Sequence, residues 1–478
     1  MTWLRVIVEF INVFFFIYMT GYAMFLFLSA ISGAIVMHKN AKRSRFRKRL
    51  YLEHSENYQP VSLLVPAYNE EETILDAIHS LMKIDYAEYE IIVINDGSTD
   101  RTAEQLIDLF NMKKIERPVR RQVRSKKIFD IWEAVDTKVP LTLVNKENGG
   151  KADALNTGIN AARYGFFMSM DADSVLQRDA LKKMMEQFIA DRTVIACGGN
   201  IMVANQAVIQ DGEVISNYFP RKLVVLMQLL EYCRSFLGSR IFFDAFGGNL
   251  IISGACGLFK KNIVIQAGGY NTDTVGEDME LVVKLHHFCR SNQIPYRIVN
   301  EQMAVCWTQV PERISDLRKQ RRRWHMGMIQ SIILHRELIF NGAYGLTSFI
   351  SMTYYLIMES LGPLIEVIGL VNIILAMNLE MINIDFMISY YFLFLLFSAA
   401  VTVITFFSRI YMSAFKVTFW QVIVVVISSV LEGLGFRQMV TFFRLSAFIH
   451  YNKNKTEWGK IKRKTHYRAN PNENGRNK

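Results

Sequence analysis

The sequence predicts an α/β domain, a mostly parallel sheet with helices on both faces, set between the apolar α-helices of a membrane region. Three observations predict it. Hydrophobic residues make up 51% of the 478 residues, and the long apolar runs concentrate at the two ends. Between about 59 and 335, short apolar strand-like runs alternate with amphipathic helical spacing, the pattern of β-α-β units. The net charge is +11, and basic residues cluster beside the apolar runs. That placement favours a membrane surface as the partner and argues against nucleic acid.

Residues 1–38 read as an N-terminal transmembrane helix. Phe10 to Val36 is nearly free of charge, and a span needs roughly 20 apolar residues. The run is too long for a signal peptide and lacks the usual basic start. Residues 39–58 read as a basic cytoplasmic linker, with six Lys/Arg between Lys39 and Lys48, the kind of flank that stays inside.

The domain proper, 59–335, opens with a strand at Val61–Val65 and a helix at Glu70–Lys83. A strand at Glu90–Asn95, a helix at Thr99–Phe110 and a strand at Leu141–Asn145 follow. The next pair is a helix at Lys151–Arg163 and a strand at Gly165–Met170. The segment Phe219–Phe243, rich in Leu, Val, Phe and Arg, reads equally as an interfacial helix docking the domain on the membrane or as a buried helix. Five cysteines, Cys197, Cys233, Cys256, Cys289 and Cys306, show no metal-binding spacing and read as reduced, buried thiols.

Residues 336–450 read as C-terminal interfacial and transmembrane helices, with apolar stretches at 346–378, 386–407 and 417–450. Gly362-Pro363 breaks the first, with Glu359 and Glu366 on either side. The loop Asn378–Asp385 suits the outside, and Arg409 with Lys416 suits the inside. A turn at Glu432-Gly433-Leu434-Gly435 would make the third stretch a hairpin, giving one crossing before the domain and four after it. Residues 451–478 read as a basic cytoplasmic tail.

In sheets of this kind ligands sit at the carboxyl ends of the strands. Those ends carry Pro66-Ala67-Tyr68-Asn69-Glu70, Asn95-Asp96-Gly97-Ser98, Asn148-Gly149-Gly150-Lys151 and Asp171-Ala172-Asp173. Asp171 and Asp173 can face a hard cation. Mg2+ or Mn2+ accepts one or two carboxylates and fills its shell with water and phosphate oxygens, and would neutralise a departing diphosphate. A turn capped by aspartates has the same sequence. Lys151 follows two glycines at a helix start, where backbone amides and a lysine favour phosphate. Asp96 can accept hydrogen bonds from a nucleotide or cap a turn.

Further on, Gly276-Glu277-Asp278 opens a helix. A carboxylate there stays ionised beside the helix N-terminus and can serve as general base, or simply cap the helix. Gln320-Arg321-Arg322-Arg323-Trp324 offers arginine for diphosphate and an aromatic face for a sugar ring. It also reads as a basic helix at the membrane surface.

In this order and spacing the motifs resemble the processive inverting glycosyltransferases of family 2, the cellulose, hyaluronan, chitin and poly-N-acetylglucosamine synthases. The resemblance covers 59–335. It implies a cytosolic GT-A-type, Rossmann-like catalytic domain and a UDP-sugar donor, either UDP-N-acetylglucosamine or UDP-glucose. A growing β-linked glycan chain would be the acceptor, with export through the adjoining helices at the plasma membrane.

It also implies roles. Ala67, Tyr68, Glu70 and Asp96 would form the nucleoside pocket. Lys151, Asp171 and Arg323 would contact the diphosphate, and Asp173 would hold the metal. Asp278, with Glu277, would be the catalytic base. Ser253, Gly254, Gln320 and Trp324 would face the acceptor, Gln320, Arg323 and Trp324 matching the QxxRW motif. Trp307, followed by Thr308-Gln309-Val310-Pro311-Glu312, matches a strand-end element ahead of that motif. Many members have Thr where this chain has Gly276, which puts the loop geometry in question. Alternatives are a non-processive transferase acting on a lipid-linked acceptor, and a membrane scaffold built on a degenerate transferase domain. An accessory membrane subunit is left open.

Overall fold

A computed structural model describes residues 2–53, 58–205, 207–210, 213–217, 219–412 and 417–449. Residues 54–57 of the expected linker, Lys416 and the expected tail 451–478 lie outside the described residues.

The strands are β1 (Val61–Ala67), β2 (Tyr89–Asn95), β3 (Met112–Ile115), β4 (Ile128–Ala134), β5 (Leu141–Lys146) and β6 (Phe166–Ser169). They continue with β7 (Val175–Leu176), β8 (Val194–Val203), the hairpin β9 (Ala207–Gln210) and β10 (Glu213–Asn217), then β11 (Gly257–Lys260) and β12 (Arg297–Thr308). The main sheet runs β3-β4-β5-β2-β1-β6-β11-β8-β12-β7.

Its centre, β5-β2-β1-β6, is parallel as the alternating pattern predicts. Alternate side chains face opposite ways. Leu63, Val65, Ile91 and Val93 enter one buried cluster, Leu64, Ile92, Ile94 and Val144 the other. Burial on both faces explains why these strands read as unbroken apolar runs. The sheet as a whole is mixed rather than mostly parallel. β11 runs antiparallel to β6 and to β8, with Gly257 opposite Ser169. That reversal has a structural consequence. β6 ends at the rim where Asp171 lies, and β11 begins there, so its leading loop, Ser253–Cys256, sits beside Asp171.

The segment around Phe219–Phe243 forms a helix Leu223–Arg234, a π-helical turn Ser235–Ser239 and a short helix Arg240–Asp244. It packs against the N-terminal helix Thr2–Glu53 and the helix Ile384–Met412. It is therefore both buried and the seat of the α/β unit on the apolar helices. All five cysteines are buried free thiols.

Among the described residues three helices are long and apolar enough to cross a membrane: Trp3–Val36, Ile384–Ile410 and Phe419–Phe448. A fourth stretch is broken, Thr347–Ser360 and Gly362–Asn378 meeting at 52°. Pro363 stands in the first turn of the second piece, where its missing N–H costs nothing. The hairpin expected at 432–435 is not formed, so among the described residues three helical stretches follow the domain, without the extra return helix. Residues Glu432–Phe436 pass through as a π-helical turn inside one continuous helix. The glycine serves close packing instead: a Cβ on Gly433 would meet Leu395 at 2.4 Å.

This helix touches the α/β unit near both ends. Val425 shares a buried cluster with Leu226 and Leu229, and Ala447 with Val275 and Met326. It is tied in by charge as well. Arg234 Nη1 donates to Glu432 Oε2 at 2.5 Å and to Thr402 Oγ1 at 2.7 Å, and Nη2 pairs with Glu432 Oε1. Removing one partner of a buried pair strands the other charge, at a cost of about 3 kcal/mol. The Arg234→Gln protein should therefore unfold several degrees below the unaltered protein in detergent thermal melts.

Candidate active site

The loops after β1 and β2 are laced together. Asn69, at φ 55°, accepts from the Thr99 amide at 2.8 Å, and its own amide donates to Ser98 Oγ at 3.0 Å. The Glu70 amide donates to Thr102 Oγ1, and Glu70 Oε2 accepts from Thr73 Oγ1. Ala67 is buried at the end of β1, and Tyr68 is exposed beyond it.

Asp96 is deeply buried, and its carboxylate is already occupied. Oδ1 accepts from Lys146 Nζ at 2.5 Å and from the Gly149 amide at 2.9 Å, and Oδ2 from the Gly150 amide at 2.7 Å. Lys146, fully buried, also pairs with Asp153 at 2.8 Å. This clasp shapes the Gly149-Gly150 turn, whose Gly150 needs φ 84°, a region open to glycine. The turn then delivers Lys151 as the first residue of the helix Lys151–Ala161.

Lys151 Nζ lies 2.5 Å from Asp171 Oδ1 and 3.2 Å from Glu277 Oε1. Burial works against its charge, but these carboxylates outweigh it and hold its pKa above the ordinary lysine value. Burial, reinforced by the charge of Asp171, pushes the Asp173 carboxyl up to about 7, against the pull of Lys151 and Arg323. Burial likewise raises Glu277. Asp278 stands in the first turn of the helix Glu277–Ser291. Its Oδ1 accepts from the Met279 amide at 2.8 Å and its Oδ2 from the Gly254 amide at 3.3 Å.

On the opposite wall is the helix Ile314–Leu334. Arg321 forks onto Glu231 at 2.7 and 2.8 Å, and its guanidinium lies 4.7 Å from the centre of the Trp324 ring. Trp324 is 41% exposed, an aromatic face left open. Gln320 Oε1 is buried with no hydrogen-bond partner among the described residues.

These groups meet in one cavity of about 750 Å³, lined by Lys151, Asp171, Asp173, Ser253, Gly254, Glu277 and Asp278, and by Gln320, Arg323 and Trp324. The cavity continues between the apolar helices, past Tyr22, Tyr354, Glu359 and Arg444. Ala67, Tyr68, Glu70 and Asp96 are not among its lining residues. They form the adjoining strand ends, joined to it through Gly150 and Lys151.

A hard divalent ion fits this donor set. Asp171 and Asp173 stand one residue apart at the rim, and the Asp173 carboxyl, pushed up by burial and by Asp171, is a group that a cation would hold in its charged form. Among the described residues no group of three His, Cys, Asp or Glu side chains makes a metal cage, but Mg2+ and Mn2+ are commonly held by one or two carboxylates plus substrate phosphates.

The departure at Gly276 has a structural explanation. A Cβ there would meet Gly327 Cα at 2.7 Å, and a Cβ on Gly327 would meet Gly276 Cα at 2.5 Å. The start of the helix bearing Asp278 thus rests backbone to backbone on the helix bearing Trp324, one turn beyond it. Gln330 of the same helix accepts from Thr274 Oγ1 and the Val275 amide.

Residues 59–327 match the family described as "Glycosyltransferase like family 2". The chain belongs to glycosyltransferase family 2. Among curated relatives, it is 33% identical over 313 residues to a poly-beta-1,6-N-acetyl-D-glucosamine synthase of Staphylococcus epidermidis, and 32% identical over 315 residues to that of Staphylococcus aureus (strain COL). The matches cover 65% and 66% of this chain, and the chain spans 65% of the length of each relative. A mannosyltransferase from Pyrobaculum calidifontis, solved with GDP-Man and Mn2+, is similar at a TM-score of 0.49 and 16% identity, covering 90% of this chain and 99% of its own.

Of the residues that the family 2 motifs point to, Lys151, Asp173, Asp278, Gln320, Arg323 and Trp324 share the cavity. Lys146, Gly327 and Gln330 lie outside the expected set. A lysine closing a buried parallel strand, as Lys146 closes β5, was the available signal.

A threonine at 276 should force the two backbones apart. Overpacking of this kind costs about 1–3 kcal/mol. Gly276→Thr should lower the melting temperature, and Gly327→Ala should do the same, since each brings a side chain against the same contact.

Proposed function

We propose that this family 2 transferase polymerises a sugar from a UDP-sugar into a β-linked polysaccharide and passes the chain out through the adjoining helices. UDP-N-acetylglucosamine is the donor favoured by the names of the Staphylococcus relatives. One observation carries the reading. Asp173 and Asp278 line a single cavity with Trp324, and that cavity extends between the apolar helices. A donor site that opens toward a passage suits a chain that grows and leaves in one direction.

In this mechanism the loops bearing Tyr68, Glu70 and Asp96 receive the nucleoside. Asp96 acts there mainly through the Gly149-Gly150 turn that it shapes. Lys151 and Arg323 bind the diphosphate oxygens as point charge and planar fork. A Mg2+ or Mn2+ ion held at Asp173 would add neutralisation of the leaving diphosphate. Trp324 stacks on the acceptor sugar, with Ser253, Gly254 and Gln320 around it.

Asp278 takes the proton from the acceptor hydroxyl. The oxygen forms its bond to the anomeric carbon on the face opposite the nucleotide. The anomeric C–O bond to phosphate breaks, and its electron pair leaves on the diphosphate. A single displacement inverts the centre, so an α-linked donor gives a β-linkage. The apolar helices and the basic flanking run make the plasma membrane the proposed location, with the catalytic unit on its cytoplasmic side.

The test is to incubate the purified full-length protein with a panel of UDP-sugars and characterise the product. UDP-N-acetylglucosamine should yield a polymer that resolves as a long ladder on gels. A product one sugar longer than a lipid acceptor, with no ladder, would replace this reading with the non-processive one. Asp278→Asn should cut turnover by about 100- to 10,000-fold, the range for a positioned general base, while UDP binding measured by calorimetry stays within a few-fold.

A further inference from the structure

The cations around the cavity are mostly held by carboxylates. Lys151 pairs with Asp171 and Glu277, Arg234 with Glu432, Arg321 with Glu231 and Arg444 with Glu359. Arg240 is different. It lines the same cavity, and among the described residues it has no ion pair. Its guanidinium carbon lies over the Phe236 ring, 3.9 Å from the centroid. Its Nη1 is buried and has no hydrogen-bond partner. The polar groups acting on it are Tyr355, Asp278 and Tyr232.

Stacking on an aromatic ring occupies the face of a guanidinium and fixes its plane. The edge, where the N–H donors lie, stays available. An unmet buried donor is costly, and an oxygen of a ligand bound in the cavity that Arg240 lines would meet it. The ligand class follows from the surroundings. Asp278 disfavours a second anion close by. Phe236, Tyr354 and Tyr355, which also line this part of the cavity, suit a neutral ring that carries oxygens. We propose that Arg240 is an acceptor-binding residue, donating from its guanidinium edge to hydroxyl or acetamido oxygens of the sugar whose hydroxyl faces Asp278. This inference rests on the transferase reading of the cavity.

Its position explains how it is aimed. Arg240 follows the π-helical turn Ser235–Ser239, which widens the helix by one residue per turn. Both Gly238 and Arg240 line the cavity as a result.

The test uses the full-length protein in nanodiscs, with UDP-N-acetylglucosamine and defined β-linked N-acetylglucosamine oligomers as acceptor. Arg240→Gln should raise the acceptor KM by about 10-fold or more, the loss expected for a charge-assisted hydrogen bond, and move the donor KM by less than about two-fold. Arg240→Lys should recover part of the loss, keeping the charge without the fork. An unmoved acceptor KM, or a donor KM that rises as much, would overturn the inference.

A second measurement needs neither substitution nor turnover. Phenylglyoxal modification of Arg240, followed by mass spectrometry, should slow when the oligomer is added. Equal modification with and without it would overturn the inference. If the unaltered protein makes no polymer, the substrate reading of the preceding section fails on its own, and the protection experiment still decides the role of Arg240.

Discussion

The cavity depends on one buried ammonium group. Lys151 Nζ holds Asp171, two residues beyond β6, and Glu277 from the helix that bears Asp278. These carboxylates come from segments about a hundred residues apart in the chain. Without a cation between them, their mutual repulsion in a partly desolvated site would cost several kcal/mol. The lysine is itself placed by a second buried cation. Lys146 fixes Asp96, Asp96 binds the amides of Gly149 and Gly150, and the turn so formed starts the helix at Lys151. Two lysines five residues apart thus organise the rim, one by shaping backbone and the other by gathering charge.

Much of this was legible in the sequence, and the reasons are specific. β1, β2 and β5 announce themselves because both faces of each strand are buried, leaving short apolar runs ended by polar rims. The helices begin and end within a few residues of the expected positions because their periodicity is strong. The mixed character of the sheet was not legible. β11 is four residues long, and nothing in Gly257–Lys260 records which way it runs; direction is settled by where the chain must deliver Ser253 and Gly254. The glycines at 433 and 435 misled for a related reason. In the sequence they look like a turn, but Gly433 serves close approach to Leu395, a tertiary fact with no local signature.

The site residues divide in the same way. Asp173, Asp278 and Trp324 were recognisable from their motifs and share one cavity. Asp96 stood out in the sequence as a nucleotide contact or a turn cap, and its carboxylate faces inward, onto Lys146 and the amides of Gly149 and Gly150. Lys146, Gln330 and Arg240 could not be picked out among so many basic and polar residues, since only three-dimensional contact distinguishes a buried, engaged side chain from a solvated one.

The backbone contact between Gly276 and Gly327 carries a consequence for how such a chain can change over time. Each glycine leaves no room for a side chain on the other. Neither position can accept a larger residue while the helix stays in place, because the added Cβ would meet backbone atoms. A lineage leaving this arrangement would have to shift the helix first, moving Trp324 with it, before a new residue at 276 became tolerable. The two glycines therefore act as a historical lock, making the spacing between Asp278 and Trp324 hard to alter by single steps.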